Sequence, residues 1–357
     1  MRSVHIALQL IATAFLAAQA APSALSDALP PIIASRVQPA RTPFFPGDLT
    51  AERDAIERNG PLSDVDPQAY GMSLITTAEN ILLPPPDDSG NVTVSTATTA
   101  QVAHLEFYAG VISTAYCRSV VPGNKWDCAH CLSTVPDAKI ITTFVTETYG
   151  IAGYIIRSDA KKTIYLIFRG TNSINNVISD MKYALTDYTP VKGAKVCSGF
   201  YDGYKETAAT IVPTMQDQIT KYPDYEIVTG GHSLGGAQSL LAALDLYQRD
   251  KRFNAKNMKV VTAGGPRVGN PEFAYYVDST GIPFTRIVHE RDVVAHLPPE
   301  AMGYLHPGVE NWIYKEPSHV HICESNLESN KCSNSIAPLY SVTDHLEYFG
   351  INEGLCL

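Results

Sequence analysis

A serine set between two pairs of glycines constrains this chain more than any other feature. Gly230-Gly231-His232-Ser233-Leu234-Gly235-Gly236 contains the pattern Gly-x-Ser-x-Gly at Gly231, Ser233 and Gly235. Before it, Tyr225-Glu226-Ile227-Val228-Thr229 reads as a buried strand. After it, residues 234–249 read as a helix with an apolar face of Leu240, Leu241, Ala243, Leu244, Leu246 and Tyr247. A strand that turns directly into a helix forces the corner residue into a strained backbone conformation. Glycines two before and two after leave room for that turn to pack. The serine oxygen is then expected to stand exposed above the sheet, with a helix N-terminus behind it to favour developing negative charge. A Gly-Ser turn without chemistry is the plainer alternative, and the strand-then-helix context argues against it.

The rest of the chain fits such a corner. With 357 residues, 45% of them hydrophobic, there is ample material for a core, which excludes a disordered chain and a small disulfide-stapled fold. From about residue 89 onward there is no internal repeat. Strand candidates at 140–145, 153–156, 163–168, 226–229, 258–263 and 284–288 alternate with helix candidates at 98–116, 207–221 and 234–249. This implies an α/β fold with a mostly parallel central sheet flanked by helices. The formal charge is −9, but residues 1–88 hold 5 basic and 10 acidic residues, leaving 22 against 26. A mildly acidic body without a Lys/Arg run argues against nucleic acid as a partner.

The N-terminal segments read differently. Arg2, an apolar run over 6–18 and Ala18-Gln19-Ala20 make residues 1–20 a signal peptide cleaved after Ala20. The run is too short for a membrane anchor, which needs roughly 20 apolar residues. No later stretch is long and apolar enough to span, so a secreted, extracellular product is expected. Residues 21–88 hold 11 of the 24 prolines and no cysteine, with a triple proline at Pro84-Pro85-Pro86. They read as a pro-segment, the alternative being a linker that is never removed, and residues 89–357 as one globular domain. Asn91-Val92-Thr93 is an N-glycosylation sequon just past that boundary.

All seven cysteines (Cys117, Cys128, Cys131, Cys197, Cys323, Cys332, Cys356) lie in the globular part. In an oxidising compartment an even subset should be bridged, with too many pairings for sequence to choose among. Cys128-x-x-Cys131 with His130, together with His319-x-His321-x-Cys323, superficially resembles zinc ligation. Secretion favours disulfides instead, and no metal is expected.

A serine hydroxyl needs a base to take its proton. In an α/β-hydrolase fold the partners follow in the order Ser, Asp/Glu, His. Asp292, in Glu290-Arg291-Asp292, lies past the carboxyl end of the strand candidate at 284–288, where such folds keep their chemistry. Asp278 and Asp245 fit worse. Six histidines follow the corner: His289, His296, His306, His319, His321 and His345. Spacing puts His345 first only because it comes last, 53 residues after Asp292.

Taken together, these residues resemble the filamentous-fungal class 3 triacylglycerol lipases of the Rhizopus and Rhizomucor type. The resemblance covers essentially all of 89–357. It rests on Phe168-Arg169-Gly170-Thr171, Gly231-His232-Ser233-Leu234-Gly235-Gly236, Gly265-Pro266-Arg267-Val268-Gly269, Glu290-Arg291-Asp292 and Asp344-His345-Leu346-Glu347-Tyr348-Phe349-Gly350. It implies the α/β-hydrolase fold, with Ser233 as nucleophile, Asp292 as orienting acid and His345 as base. It further implies disulfides Cys117–Cys356, Cys128–Cys131 and Cys323–Cys332, leaving Cys197 where these lipases usually carry His. Thr171 joins the backbone N–H of Leu234 as the implied oxyanion hole. Asp180, nine residues on, is proposed to accept from the Thr171 hydroxyl and fix its rotamer. Ala295 stands where relatives usually have Pro. His232 either contacts the oxyanion region or packs and hydrogen-bonds beneath the turn, and the second reading is preferred.

Between Thr171 and Pro190, Ile174, Val177, Ile178, Met181 and Leu185 fall at helical spacing on one apolar face. This reads as a short helical lid that covers the serine in water and turns its apolar face toward a lipid–water interface. Some family members carry Trp where this chain has Val177, so weaker surface activation is expected. The expected substrate is therefore a triglyceride, with the chain's own pro-segment as a further partner, no cofactor, and a monomeric state. A feruloyl-type esterase, a phospholipase and a non-catalytic binding protein on the same scaffold are the alternatives.

Overall fold

The computed structural model describes residues 92–171, 183–315, 318–337 and 340–356, all within one compact unit, Gln38–Leu357. The expected signal peptide (1–20) and pro-segment (21–88), Asn91 and the proposed Ile174, Val177, Ile178, Asp180 and Met181 lie outside the described residues.

In chain order the elements are β1 (Val94–Thr96), α1 (Thr99–Ser113), α2 (Ala129–Thr134), β2 (Lys139–Val145), β3 (Ala152–Ser158), β4 (Thr163–Phe168), β5 (Leu185–Asp187), β6 (Lys195–Cys197) and α3 (Ser198–Lys221). They continue with β7 (Glu226–His232), α4 (Leu234–Arg249), β8 (Met258–Ala263), α5 (Pro271–Ser279), β9 (Phe284–His289), β10 (Val309–Lys315), β11 (His319–Cys323), β12 (Glu347–Tyr348) and β13 (Ile351–Asn352). Nine strands form one sheet in the order β1-β11-β10-β9-β8-β7-β4-β3-β2. Its central five strands, β4, β7, β8, β9 and β10, are parallel, and antiparallel strands flank them on both sides.

The strand period of two supplies both cores. Ile164, Leu166 and Phe168 of β4 face one way with Ile227, Met258 and Val260, packing against Phe200, Ile211, Leu240 and Leu244 of α3 and α4. Tyr165 and Ile167 face the other way with Val228, Val261 and Ala263, against Leu105, Tyr108 and Ile112 of α1 and Tyr348 and Ile351. A capping box opens α1: Thr98 and Gln101 each accept from the other's backbone N–H.

Several boundaries depart from the sequence reading. Helix α3 begins nine residues before the expected 207, because Gly199 and Gly203 look like breakers, although Gly203 lets Ile151 pack closely on the helix. Strand β7 runs through Gly230 and Gly231 to His232, since β4 and β8 clamp it from both sides. Strands β10 and β11 were not expected, because charged and imidazole side chains mask their alternation. Glu310 is buried there because Arg286, equally buried, reaches it at 3.2 Å. Leu185 is not on a helix. Its backbone pairs with Cys197 in the β5–β6 ladder, and its side chain packs on the core, which removes it from the lid face.

The structure joins Cys117–Cys356, Cys128–Cys131 and Cys323–Cys332. Cys197 is buried and belongs to no disulfide. The one cluster of candidate metal donors among the described residues, Cys117, Cys128 and Cys356, consists of disulfide sulfurs. The Cys117–Cys356 bond spans 239 residues, a closure that the chain-entropy account values at about 5 kcal/mol.

A second polar cluster braces the loop after β9. The Arg267 guanidinium, 3% exposed, donates to the carbonyls of His296 and Pro298 and forks onto Glu328 at 2.6 and 2.8 Å. It also reaches Glu300 at 3.0 Å. Burial alone would raise the Glu328 pKa, but Arg267 overrides it and holds the carboxylate well below its usual range. Burial and the adjacent Glu328 raise Glu300 to about 7.

Two outcomes follow. Arg267→Leu leaves the Glu328 charge buried without its partner and should cost about 3–5 kcal/mol, read as a lower urea midpoint. Glu300 keeps its proton in the fold at pH values where the unfolded chain, titrating near 4.5, has lost it. Its contribution to stability therefore falls as pH rises from about 4.5 to about 7, and Glu300→Gln should flatten the melting temperature over that window.

Candidate active site

The corner is as tight as its sequence requires. One residue, Ser233, separates β7 from α4, with φ 58° and ψ −132°, a conformation costly for any side chain larger than glycine's. A Cβ on Gly231 would lie 2.4 Å from the Gly235 carbonyl, and one on Gly235 2.4 Å from that of Phe168. The turn therefore packs backbone on backbone and against the end of β4. The Ser233 N–H donates to Ala263 at 3.0 Å, tying the corner to β8.

Ser233 is nevertheless 1% exposed, and its Oγ is buried without a hydrogen-bond partner among the described residues. This corrects the expectation of an exposed hydroxyl. The end of β4 crowds the corner: a Cβ on Gly170 would lie 2.3 Å from the Tyr116 hydroxyl, 2.8 Å from the His232 carbonyl and 2.9 Å from the Ser233 Cβ.

Asp292 follows β9 and is completely buried. Its Oδ1 accepts from the Val294 N–H at 2.7 Å, and its Oδ2 from the Tyr348 hydroxyl. Both oxygens lie within 2.9 Å of His345 Nδ1. Burial alone would raise the Asp292 pKa, but His345 and Tyr348 reverse this and hold it below the ordinary carboxylate value. His345 itself sits in a 3₁₀ turn, Thr343–Leu346, stitched to the acid loop. Ser341 donates to the Arg291 carbonyl at 2.7 Å, Val293 to that of Ser341 at 3.1 Å, and Arg291 Nε to Asp344 at 3.3 Å. With Nδ1–H directed at the carboxylate, His345 Nε2 carries the lone pair, and it too is buried without a partner.

The other candidates go elsewhere. His289 Nδ1 bonds the Asp344 carbonyl, His296 Nδ1 that of Asp292 and His306 Nε2 that of Ala295. His319 and His321 lie on β11, where His321 stacks on Tyr314 at 3.9 Å. Asp245 lies on α4, held by Tyr204 and Arg249, and Asp278 on α5. Sequence reasoning gave Tyr348 and Tyr116 no role. Tyr348 stands three residues after His345 inside a quoted motif, which is the one signal that marks it. Tyr116 carries no such signal.

Two groups border the corner. Leu234 is the first residue of the 16-residue α4, so its N–H has no partner within the helix. Thr171 follows Gly170 past the end of β4 and is exposed. What the arrangement can do is take up a proton at His345 Nε2, the resulting positive charge being balanced by a buried carboxylate.

Known proteins are similar to this chain. The family described as Lipase (class 3) matches residues 165–302. A lipase of Rhizopus niveus is 50% identical over 92% of this chain and 88% of its own. A solved triacylglycerol lipase, whose catalytic centre is described as a serine protease triad, is 49% identical with a TM-score of 0.72, covering 74% of this chain and all of its own. The Rhizomucor miehei lipase propeptide complex is 46% identical with a TM-score of 0.74, covering 92% of this chain and all of that one. The chain belongs to the class 3 lipases, carboxylic ester hydrolases of the α/β-hydrolase fold.

Proposed function

We propose that this lipase hydrolyses triglycerides at a lipid–water interface through Ser233, His345 and Asp292. The observation that carries this reading is His345, whose Nδ1 is already bonded to the buried carboxylate of Asp292 and whose Nε2, like Ser233 Oγ, is buried without a hydrogen-bond partner among the described residues. His345 takes the Ser233 proton and the oxygen attacks the ester carbonyl. The tetrahedral oxyanion is met by the N–H of Leu234 and by the N–H and hydroxyl of Thr171, with Asp180 holding that hydroxyl's rotamer. One such donor is worth roughly 3–4 kcal/mol. His345 then protonates the leaving alcohol, and water, activated by the same imidazole, releases the fatty acid from Ser233.

A buried nucleophile must be uncovered before an ester can reach it. Ile174, Val177, Ile178 and Met181 supply an apolar face at helical spacing directly after Thr171. Exchanging that face's contact with the protein for contact with hydrocarbon links uncovering to the lipid surface. Leu185, fixed in β5, lies beyond that face.

The leader pattern and three disulfides support secretion after removal of residues 1–20. The proline-rich run supports 21–88 as a pro-segment. So does the wider coverage of the relative solved with its propeptide, 92% of this chain against 74% for the triacylglycerol lipase above. Asn91 is a glycosylation site on this reading.

Ser233→Ala should abolish hydrolysis of emulsified and dissolved esters alike, by about a million-fold, and should not react with a phosphonate ester. Asp292→Asn should lower kcat by about 10⁴-fold by misorienting the imidazole. For wild type, the rate on a short-chain triglyceride should rise as its concentration passes the solubility limit, more gently than in a lid carrying Trp. A curve without a break would remove the surface-linked opening.

A further inference from the structure

A chain of three hydrogen bonds, used by none of the steps above, runs under the corner and ends on the backbone of two separate catalytic segments. The Gly170 N–H donates to the Tyr116 hydroxyl oxygen at 3.1 Å. Tyr116 Oη lies 2.7 Å from His232 Nδ1. His232 Nε2 lies 2.8 Å from the His345 carbonyl oxygen. The directions are fixed by chemistry. A carbonyl only accepts, so His232 Nε2 carries the proton, Nδ1 is bare, and the Tyr116 hydroxyl donates to it.

Every member is held in the protonation state this requires. Burial, and then His345, keep the His232 pKa well below 6.5, so the ring stays neutral. Burial pushes the Tyr116 hydroxyl far up, so it keeps its proton. Position is fixed as well as charge. Tyr116 ends the 3₁₀ turn Thr114–Tyr116, and the next residue, Cys117, is bonded to Cys356. The His232 ring lies 4.3 Å from the His345 ring, inclined by 31°.

We propose that Tyr116 and His232 are positioning residues, setting the Gly170–Thr171 backbone, the Ser233 corner and the His345 backbone at fixed separations from one another. The inference rests on the roles proposed above for Thr171, Ser233 and His345. One end of the relay is the N–H of Gly170, the residue that precedes Thr171. Its middle is the residue before Ser233. Its other end is the main chain of the base itself. A side chain that only filled space would not need donors at one end and an acceptor at the other, matched in order across three segments. Loss of the relay lets these parts shift relative to each other, and a misplacement of about 1 Å can cost about 100-fold in turnover.

The test uses the full chain, with kcat and KM measured on a dissolved short-chain nitrophenyl ester, so that opening at a lipid surface does not enter. Rates are expressed per site reactive toward a phosphonate ester, which removes misfolded protein from the count. Tyr116→Phe removes the hydroxyl and strands both neighbours. His232→Leu removes both bonds, while His232→Gln restores an N–H donor at the reach of Nε2. The expected result is a fall in kcat of about 10–100-fold for Tyr116→Phe and His232→Leu with KM within about twofold. His232→Gln should recover most of the loss. Values of kcat within about twofold of wild type in Tyr116→Phe and His232→Leu would overturn the proposal, as would His232→Gln no better than His232→Leu. Ser233→Ala, run alongside, separates the two levels. If it still turns over, the assignment of the site has failed, and if it is inactive while the relay variants match wild type, only the relay has.

Discussion

The carboxylate of Asp292 is the group around which the carboxyl edge of the sheet is organised. A charge that is fully buried is tolerated only when hydrogen bonds and an opposite charge surround it. Here those partners come from three separate parts of the chain. Val294 supplies a backbone N–H from the acid's own loop, His345 an imidazole from a later turn, and Tyr348 a hydroxyl from β12. Satisfying the carboxylate therefore requires each of these parts to be in place. Even the backbone beside it is constrained: a Cβ on Gly264 would lie within 2.8 Å of Asp292 Oδ2, the Tyr348 hydroxyl and His345 Nδ1 together.

The supports behind that carboxylate differ in kind on its two sides. Toward the loop after β9 they are ionic, with Arg267 gripping the carbonyls of His296 and Pro298 and balancing Glu328. Toward the corner they are neutral, passing through His232 and Tyr116. This division is physically sensible. A cation buried next to His345 would oppose the positive imidazole formed on the way to the acyl-enzyme, whereas a neutral ring contributes a directed N–H without a charge. The ion pair beside the base's turn, Arg291–Asp344, is half exposed on its arginine side.

Much of this was legible in the residues, for a physical reason. The corner, β4, β8 and α4 are governed by local rules, namely strand period, helix period and the glycine requirement of a tight turn, and all four announce themselves over fewer than twenty residues. Strands β10 and β11 were hidden because their buried polar residues are made tolerable by partners distant in sequence, as Glu310 is by Arg286. The choice of His345 among six histidines could not come from spacing, since what distinguishes it is a hydrogen bond across 53 residues, and the family resemblance supplied it. Leu185 misled because a helical period can continue by chance into a strand whose pairing partner, Cys197, lies beyond the next turn. The close approach of Gly170, past the end of β4, to Tyr116, His232 and Ser233 joins segments distant in sequence, which no local pattern states.

The Cys117–Cys356 bond has a bearing on how the enzyme is made. Tyr116, one residue before it, bonds His232 beside the serine corner, Tyr348, eight residues before its other end, bonds Asp292, and 239 residues separate the two sulfurs. A nascent chain emerging from the ribosome would therefore expose the serine corner long before the segment bearing the base and its supporting tyrosine existed. On the site assignment proposed above, until that late segment arrives the polypeptide carries a nucleophile with nothing to activate it.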